Sequence, residues 1–237
     1  MASQVGSRRR LADAVRVSVF GLSLVPVTRI VVHALTGGLG ANPIEELTHR
    51  TGWWTLAFLM LTLAVTPARQ LTGWGPLVKL RRMLGLFAFF YATLHFAIYI
   101  GLDQFFAFDF IIEDIVERPY ITVGFTALLI LIALAITSPK RMVKRLGGKR
   151  WNRLHKLVYV AATLGVLHFL WLVKADIRQP AIFGGILVTL LGYRLVTERL
   201  RQLRVQRRKE PGAPARFDSG SAAVESRSGA PRVSQSL

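Results

Sequence analysis

Five histidines offer the chain its clearest chemistry: His33, His49, His95, His155 and His168. His95 and His168 lie inside apolar runs, where an imidazole is costly enough to be functional by default. The sequence has no cysteine. Thiolate-bound haem, Cys-ligated iron–sulfur clusters and C-x-x-C-H haem attachment are therefore excluded, and a redox metal must use histidine, methionine or carboxylate. Depth separates metal ligation from simple hydrogen bonding between helices. His95 stands 13 residues beyond Arg82, and His168 stands 15 beyond Arg153. At helical rise both imidazoles lie roughly 20–22 Å from the starts of their helices. If those helices run in the same direction, the two rings share a level and can fill both axial positions of a haem lying edge-on between them. Neighbouring helices at about 8–10 Å are too close for this, so the pair must be splayed. Gly165, one turn before His168, either makes room for a macrocycle or serves close helix packing.

His155 precedes His168 by 13 residues, about 20 Å along the helix. On an ideal helix that interval turns through about 1,300°, leaving the side chains about 140° apart. A bend would be needed to aim both inward. The position opposite His155 is Arg82, so His155 is either a further metal ligand or an interfacial residue among basic neighbours. His33 and His49 fall on or beside the first outer loop. Arg29, near the same boundary, either snorkels to the surface or pairs with a haem propionate.

The elements that must position these residues are membrane helices. Of the 237 residues, 52% are hydrophobic and only 19% charged. The segments Met83 to Leu102, Pro119 to Ser138 and Leu157 to Val173 carry no formal charge. Such lengths approach the ~20 residues that span a hydrocarbon core. The expected fold is all-α: a polytopic bundle of about six transmembrane helices. The first ends near Leu35 and is an anchor, since no small-x-small cleavage site follows the basic residues Arg8, Arg9, Arg10 and Arg16. The second runs from about Gly52 to Thr66 and stops at Pro67. The third covers about Arg82 to Leu102, the fourth Pro119 to Ser138 with proline in its first turn, and the fifth Leu154 to Val173. A short sixth begins near Pro180 and ends among Arg194, Arg199 and Arg201. The domain plan is a basic N-terminus (1–13), a transmembrane domain (14–200) and a basic, then disordered, tail (201–237).

A formal charge of +18 would suggest nucleic acid in a soluble chain. Here the positive charge sits in alternate loops. Arg69, Lys79, Arg81 and Arg82 follow the second helix, and Lys140, Arg141, Lys144, Arg145, Lys149, Arg150 and Arg153 follow the fourth. Asp103, Asp109, Glu113, Asp114 and Glu117 occupy the loop between. Positive-inside topology accounts for this pattern, places both termini in the cytoplasm and makes lipid, not nucleic acid, the partner. Arg82, Arg150 and Arg153, with Lys149 and Lys156 around His155, could also hold an anionic cofactor such as a flavin phosphate or a haem propionate.

Six segments occur in order: Gly37–Pro43, Arg81–Leu86, Ala92–His95, Arg118–Gly124, Lys149–His155 and His168–Trp171. Together they resemble the haem-binding membrane subunits of bacterial periplasmic methionine-sulfoxide reductase systems, over about residues 15 to 200. The helical core is similar, more loosely, to ferric reductases and NADPH oxidases. The resemblance implies an inner-membrane subunit carrying haem b and FMN. Its electrons would come from the quinone pool or a flavin reductase and pass to a periplasmic molybdopterin-containing catalytic subunit that repairs oxidised proteins. It also implies that His95, His155 and His168 are the haem histidines. No G-x-G-x-x-G fingerprint follows a strand, so the electrons are expected from another protein.

Two other readings use the same residues differently. A transporter or proton-coupled carrier could employ intramembrane His and Arg, but would be expected to show repeated halves and broken helices. A non-catalytic anchor would have no use for histidines at matched depth.

Overall fold

Helix boundaries in this chain follow capping chemistry more closely than hydropathy. Asn42 accepts the Glu45 N–H through its side chain, Pro43 occupies the first turn, and Glu45 and Glu46 sit at the positive end of the helix dipole. Helix α2 (Pro43–Thr72) therefore begins about nine residues before the expected Gly52. It also passes through Pro67, the expected stop. Within a bilayer the rest of the ladder is worth keeping, because free backbone groups have no water to turn to. The helix closes at Gly73, whose left-handed φ of 66° lets its N–H reach the Arg69 carbonyl.

The computed structural model describes residues 2–173 and 176–209, with side chains for 10–173 and 176–206. The remaining elements are α1 (Ala2–Leu35), α3 (Leu77–Ile98), a π-helical turn (Tyr99–Asp103), α4 (Phe108–Glu117), α5 (Pro119–Ile136), α6 (Lys140–Leu146), α7 (Gly148–His155), α8 (Leu157–Leu172) and α9 (Arg178–Lys209). Six spans are long and apolar enough to cross a membrane: Arg10–Leu35, Pro43–Thr72, Leu77–Asp103, Pro119–Ile136, Gly148–Leu172 and Arg178–Gln206. The all-α, six-span architecture expected from the sequence is the one observed.

Several boundaries differ from expectation. The third span starts at Leu77, not Arg82, and reaches Asp103 through its π turn. The fifth begins at Gly148 and is broken at Lys156, between α7 and α8. The sixth is long, not short, because its basic residues past Arg194 continue the helix. Two short helices, α4 and α6, lie in loops read as irregular. The chain divides into one unit to Leu195 and a second from Val196. Within the second, residues 196–209 are helical; the tail expected to be disordered lies outside the described residues.

In the larger unit α2 packs along α3 and α5 along α8, and lesser seams join α3 to α5 and α2 to α8. Helix α1 rests on α2 and α3, and α4 on α5. The core is apolar and partly aromatic: Phe58 stacks on Tyr91 (5.1 Å between centroids) and on Phe87 (5.7 Å). Tyr91 also serves α1. Its hydroxyl accepts the Val27 N–H at 3.0 Å and donates to the Ser23 carbonyl at 2.8 Å. A regular helix would pair those two backbone groups with each other, but Pro26 lies between them and disturbs the ladder. The hydroxyl thus serves the backbone beside Pro26 from a neighbouring helix. Outward positions of the spans carry exposed apolar side chains, among them Val17, Leu22, Ile136, Ile182 and Val188. On a membrane protein this is the lipid-facing surface.

Candidate functional site

Four helices bring two histidines together. His95 projects from the last turn of α3 and His168 from near the end of α8. Their ring centroids are 6.1 Å apart and the planes cross at 82°. Each ring is anchored through Nδ1 to a main-chain carbonyl of the helix beside it. His95 Nδ1 meets the Thr48 carbonyl of α2 at 2.9 Å, and His168 Nδ1 meets the Tyr120 carbonyl of α5 at 2.7 Å. A carbonyl can only accept, so both Nδ1 atoms carry the proton and Nε2 keeps the lone pair. This is the outer hydrogen bond that orients metal-bound imidazoles.

The close approach depends on glycine, by the same arrangement twice. Gly52 lies one turn after Thr48, and Gly124 one turn after Tyr120. A Cβ at Gly52 would lie 3.2 Å from His95 Cε1, and one at Gly124 only 2.7 Å from His168 Nδ1. Gly165 differs: it lines the cavity, and its missing Cβ admits Leu56 Cδ2 at 2.9 Å, so both of its readings have an observation behind them.

A cavity opens around the pair, between α2, α3, α5 and α8. Its inner walls are apolar, with Leu56, Leu59, Ala127, Leu128, Leu131 and Ala161. At its other end are His49, Tyr99, Asp103, Asp114, Arg118 and Tyr120. Asp114 is buried: Oδ1 takes Arg118 Nε at 3.0 Å, and Oδ2 takes the Tyr99 hydroxyl at 3.0 Å and Gln104 Nε2 at 3.4 Å. The Tyr120 side chain, then the Asp114 carboxylate, hold the Arg118 guanidinium above its ordinary pKa, so it stays cationic.

The arrangement fits a haem. Two imidazoles ligating one iron from opposite faces stand about 6 Å apart, being two metal–nitrogen bonds of about 2 Å plus the depth of each ring. Among the described residues no group of three or more His, Asp or Glu could hold a metal by itself. Two nitrogens are what an iron already held by a porphyrin still needs.

The other sequence-derived candidates lie apart from this cavity. His155 stacks on Trp151 at 3.9 Å, and its Nε2 lies 3.3 Å from Thr137 Oγ1, at the end of α5. Trp151 Nε1 donates to the Thr137 carbonyl. Arg82 donates from Nε to Ser138 Oγ at 3.0 Å, so the start of α3 and the end of α5 meet at this same basic end. Arg150 and Arg153 are exposed on α7, and Arg29 is exposed on α1; none lines the cavity. His33 Nδ1 contacts the Gly38 carbonyl at 3.2 Å, while the exposed His49 reaches the cavity rim. Gly52, Gly124 and Arg118 escaped the sequence reading as site residues. The signal available was an isolated glycine within a helix, which usually has a packing reason.

Fold and site together define a six-span membrane bundle built around a paired-histidine cavity. Residues 51–166 match the ferric reductase like transmembrane component family, a segment containing His95 and His155 but ending before His168. The chain is 56% identical over 174 residues to the protein-methionine-sulfoxide reductase heme-binding subunit MsrQ of Herminiimonas arsenicoxydans, covering 73% of this chain and 80% of the relative. It is 54% identical over 200 residues to the MsrQ of Rhodospirillum rubrum, covering 84% and 93%. With the MsrQ of Xanthomonas campestris pv. campestris strain 8004 it shares 54% over 177 residues, or 75% and 80%. The chain belongs to this MsrQ family of heme-binding subunits, and is an integral protein of the bacterial inner membrane.

Proposed function

We propose that this chain is the haem b-binding electron-transfer subunit of a periplasmic methionine-sulfoxide reductase system. The observation that carries the reading is the pair His95–His168, 6.1 Å apart with both Nδ1 atoms tied to carbonyls. His95 and His168 would supply the two axial nitrogens, and a haem bound there would supply one-electron carrier chemistry. The apolar walls exclude water, and the fixed rings need little rearrangement when the iron changes charge. The names of the relatives support haem and a methionine-sulfoxide reductase as the class of partner.

The finer parts of the reading are these. Electrons come from the quinone pool or a flavin donor on the cytoplasmic side, where Arg82, Arg150 and Arg153 surround His155 and favour an anionic cofactor such as FMN. They leave to a periplasmic molybdopterin-containing catalytic subunit. His155 is either a further haem ligand or, with Trp151, part of the inner cofactor's surroundings. A transporter has less support, since the sequence shows no repeated halves.

The deciding experiment is an absorption spectrum of the purified protein from haem-replete cells. A reducible low-spin b-type spectrum is expected. His95→Ala or His168→Ala should abolish it while the protein still inserts. A colourless wild-type preparation would sink the reading.

A further inference from the structure

The cavity's polar end poses a charge problem. Asp103 and Asp114 both line it, and a haem carries two carboxylates of its own. An amphipathic porphyrin set with its apolar edge among Leu59, Leu128 and Leu131 must turn those carboxylates toward the aspartates. Arg118 is the one Lys or Arg lining the cavity among the described residues. We propose that Arg118 is the anchor for a haem propionate and that Asp114 is the positioning residue that holds it ready. The inference rests on the haem reading above.

The hydrogen bonds support this division of roles. Asp114 is buried and its carboxylate is occupied on both oxygens, by Arg118 Nε on one and by Tyr99 and Gln104 on the other. Its negative charge is thus already engaged by the protein's own donors on both oxygens. Arg118 has five N–H donors, more than one Asp114 oxygen and the Tyr120 side chain together can take. Its planar fork suits a second carboxylate, and fixing Nε on a buried partner reduces the freedom lost on binding one. The two residues are one turn apart across the join of α4 and α5, where Pro119 stiffens the turn. The same join positions Tyr120, whose carbonyl orients His168. Axial ligand and propionate anchor are therefore set by one short stretch.

The test uses the full-length protein, purified with its haem, and reads two quantities: the equilibrium midpoint potential, and the rate of haem loss to excess apomyoglobin. Arg118→Gln should lower the midpoint, because a positive charge near the haem favours the reduced state, and should speed haem loss about tenfold, the ~1.4 kcal/mol of one charge-assisted bond. Arg118→Lys should restore most of the midpoint but not the retention, since the charge returns without the fork. Asp114→Asn should raise the midpoint. If Arg118→Gln loses its low-spin spectrum altogether, the lysine variant decides: a near-normal midpoint with fast haem loss sustains the assignment, and unchanged retention overturns it. Unchanged midpoint and retention in Arg118→Gln would also overturn it while leaving the haem reading intact. So would a fall in midpoint with Arg29→Gln alone, which moves the anchor to α1. A wild-type protein without haem would instead defeat the reading beneath it.

Discussion

At the scale of single residues, the site is made by what two histidines are allowed to approach. Their shared level could be counted from the sequence, because helical rise converts residue number into height. Their mates could not. Main-chain carbonyls leave no trace in residue identity; Gly52 reads as the start of a helix and Gly124 as one residue within another. The approach distances turn this into a graded expectation. A methyl at position 124 would stand 2.7 Å from His168 Nδ1, against a backbone-anchored ring that cannot retreat. At position 52 the nearest atom is 3.2 Å away, a distance that a small ring shift accommodates. Gly124→Ala should therefore lose most of its low-spin haem, and Gly52→Ala should keep much of it with a perturbed spectrum. Equal haem content in the two variants, measured by pyridine haemochrome, would contradict this account.

At the scale of elements, hydropathy located the spans and missed their ends. The Asn42-Pro43 start of α2 is a capping signal that lay outside the apolar run, and Pro67 is carried within a helix whose continuation satisfies the backbone. The break at Lys156 had no sequence warning beyond the need to turn His155 relative to His168. Helix α4 is only ten residues long, too short for a hydropathy window. Pro26 of α1 is likewise visible in sequence, whereas the Tyr91 hydroxyl that serves the backbone beside it is not. Removing that hydroxyl by Tyr91→Phe leaves the Val27 N–H and the Ser23 carbonyl without it in a buried site. A loss of about 1–3 kcal/mol is expected, seen as a lower thermal midpoint in detergent with the haem spectrum unchanged below it. No loss of stability would mean that α1 closes its own ladder.

At the scale of the whole molecule, the two ends of the bundle differ in charge. Arg82, Ser138, Thr137, Trp151 and His155 meet at the basic end. Asp103, Asp114 and Glu117 mark the end nearer the paired histidines. The positive-inside rule predicts that the basic end faces the cytoplasm. Alkaline phosphatase fused at Asp109 should then be active, and the same enzyme fused at Lys144 should not. The reverse pattern would invert the proposed direction of electron flow. Charge alternation between loops made this polarity readable from sequence, whereas the pairing of α2 with α3 and of α5 with α8 needed the structure.

The tyrosine that serves the backbone beside Pro26 also bears on how the protein is built. Helix α1 is synthesised first, but the hydroxyl that joins its Val27 and Ser23 belongs to a residue 64 and 68 positions later. Until α3 is in place, the Val27 N–H and Ser23 carbonyl beside Pro26 lack the hydroxyl that serves them in the folded chain. Assembly therefore has a built-in order: α1 is held provisional, and α3 completes it. The same helix delivers His95, so completing the first span and placing one of the two proposed haem ligands become a single event.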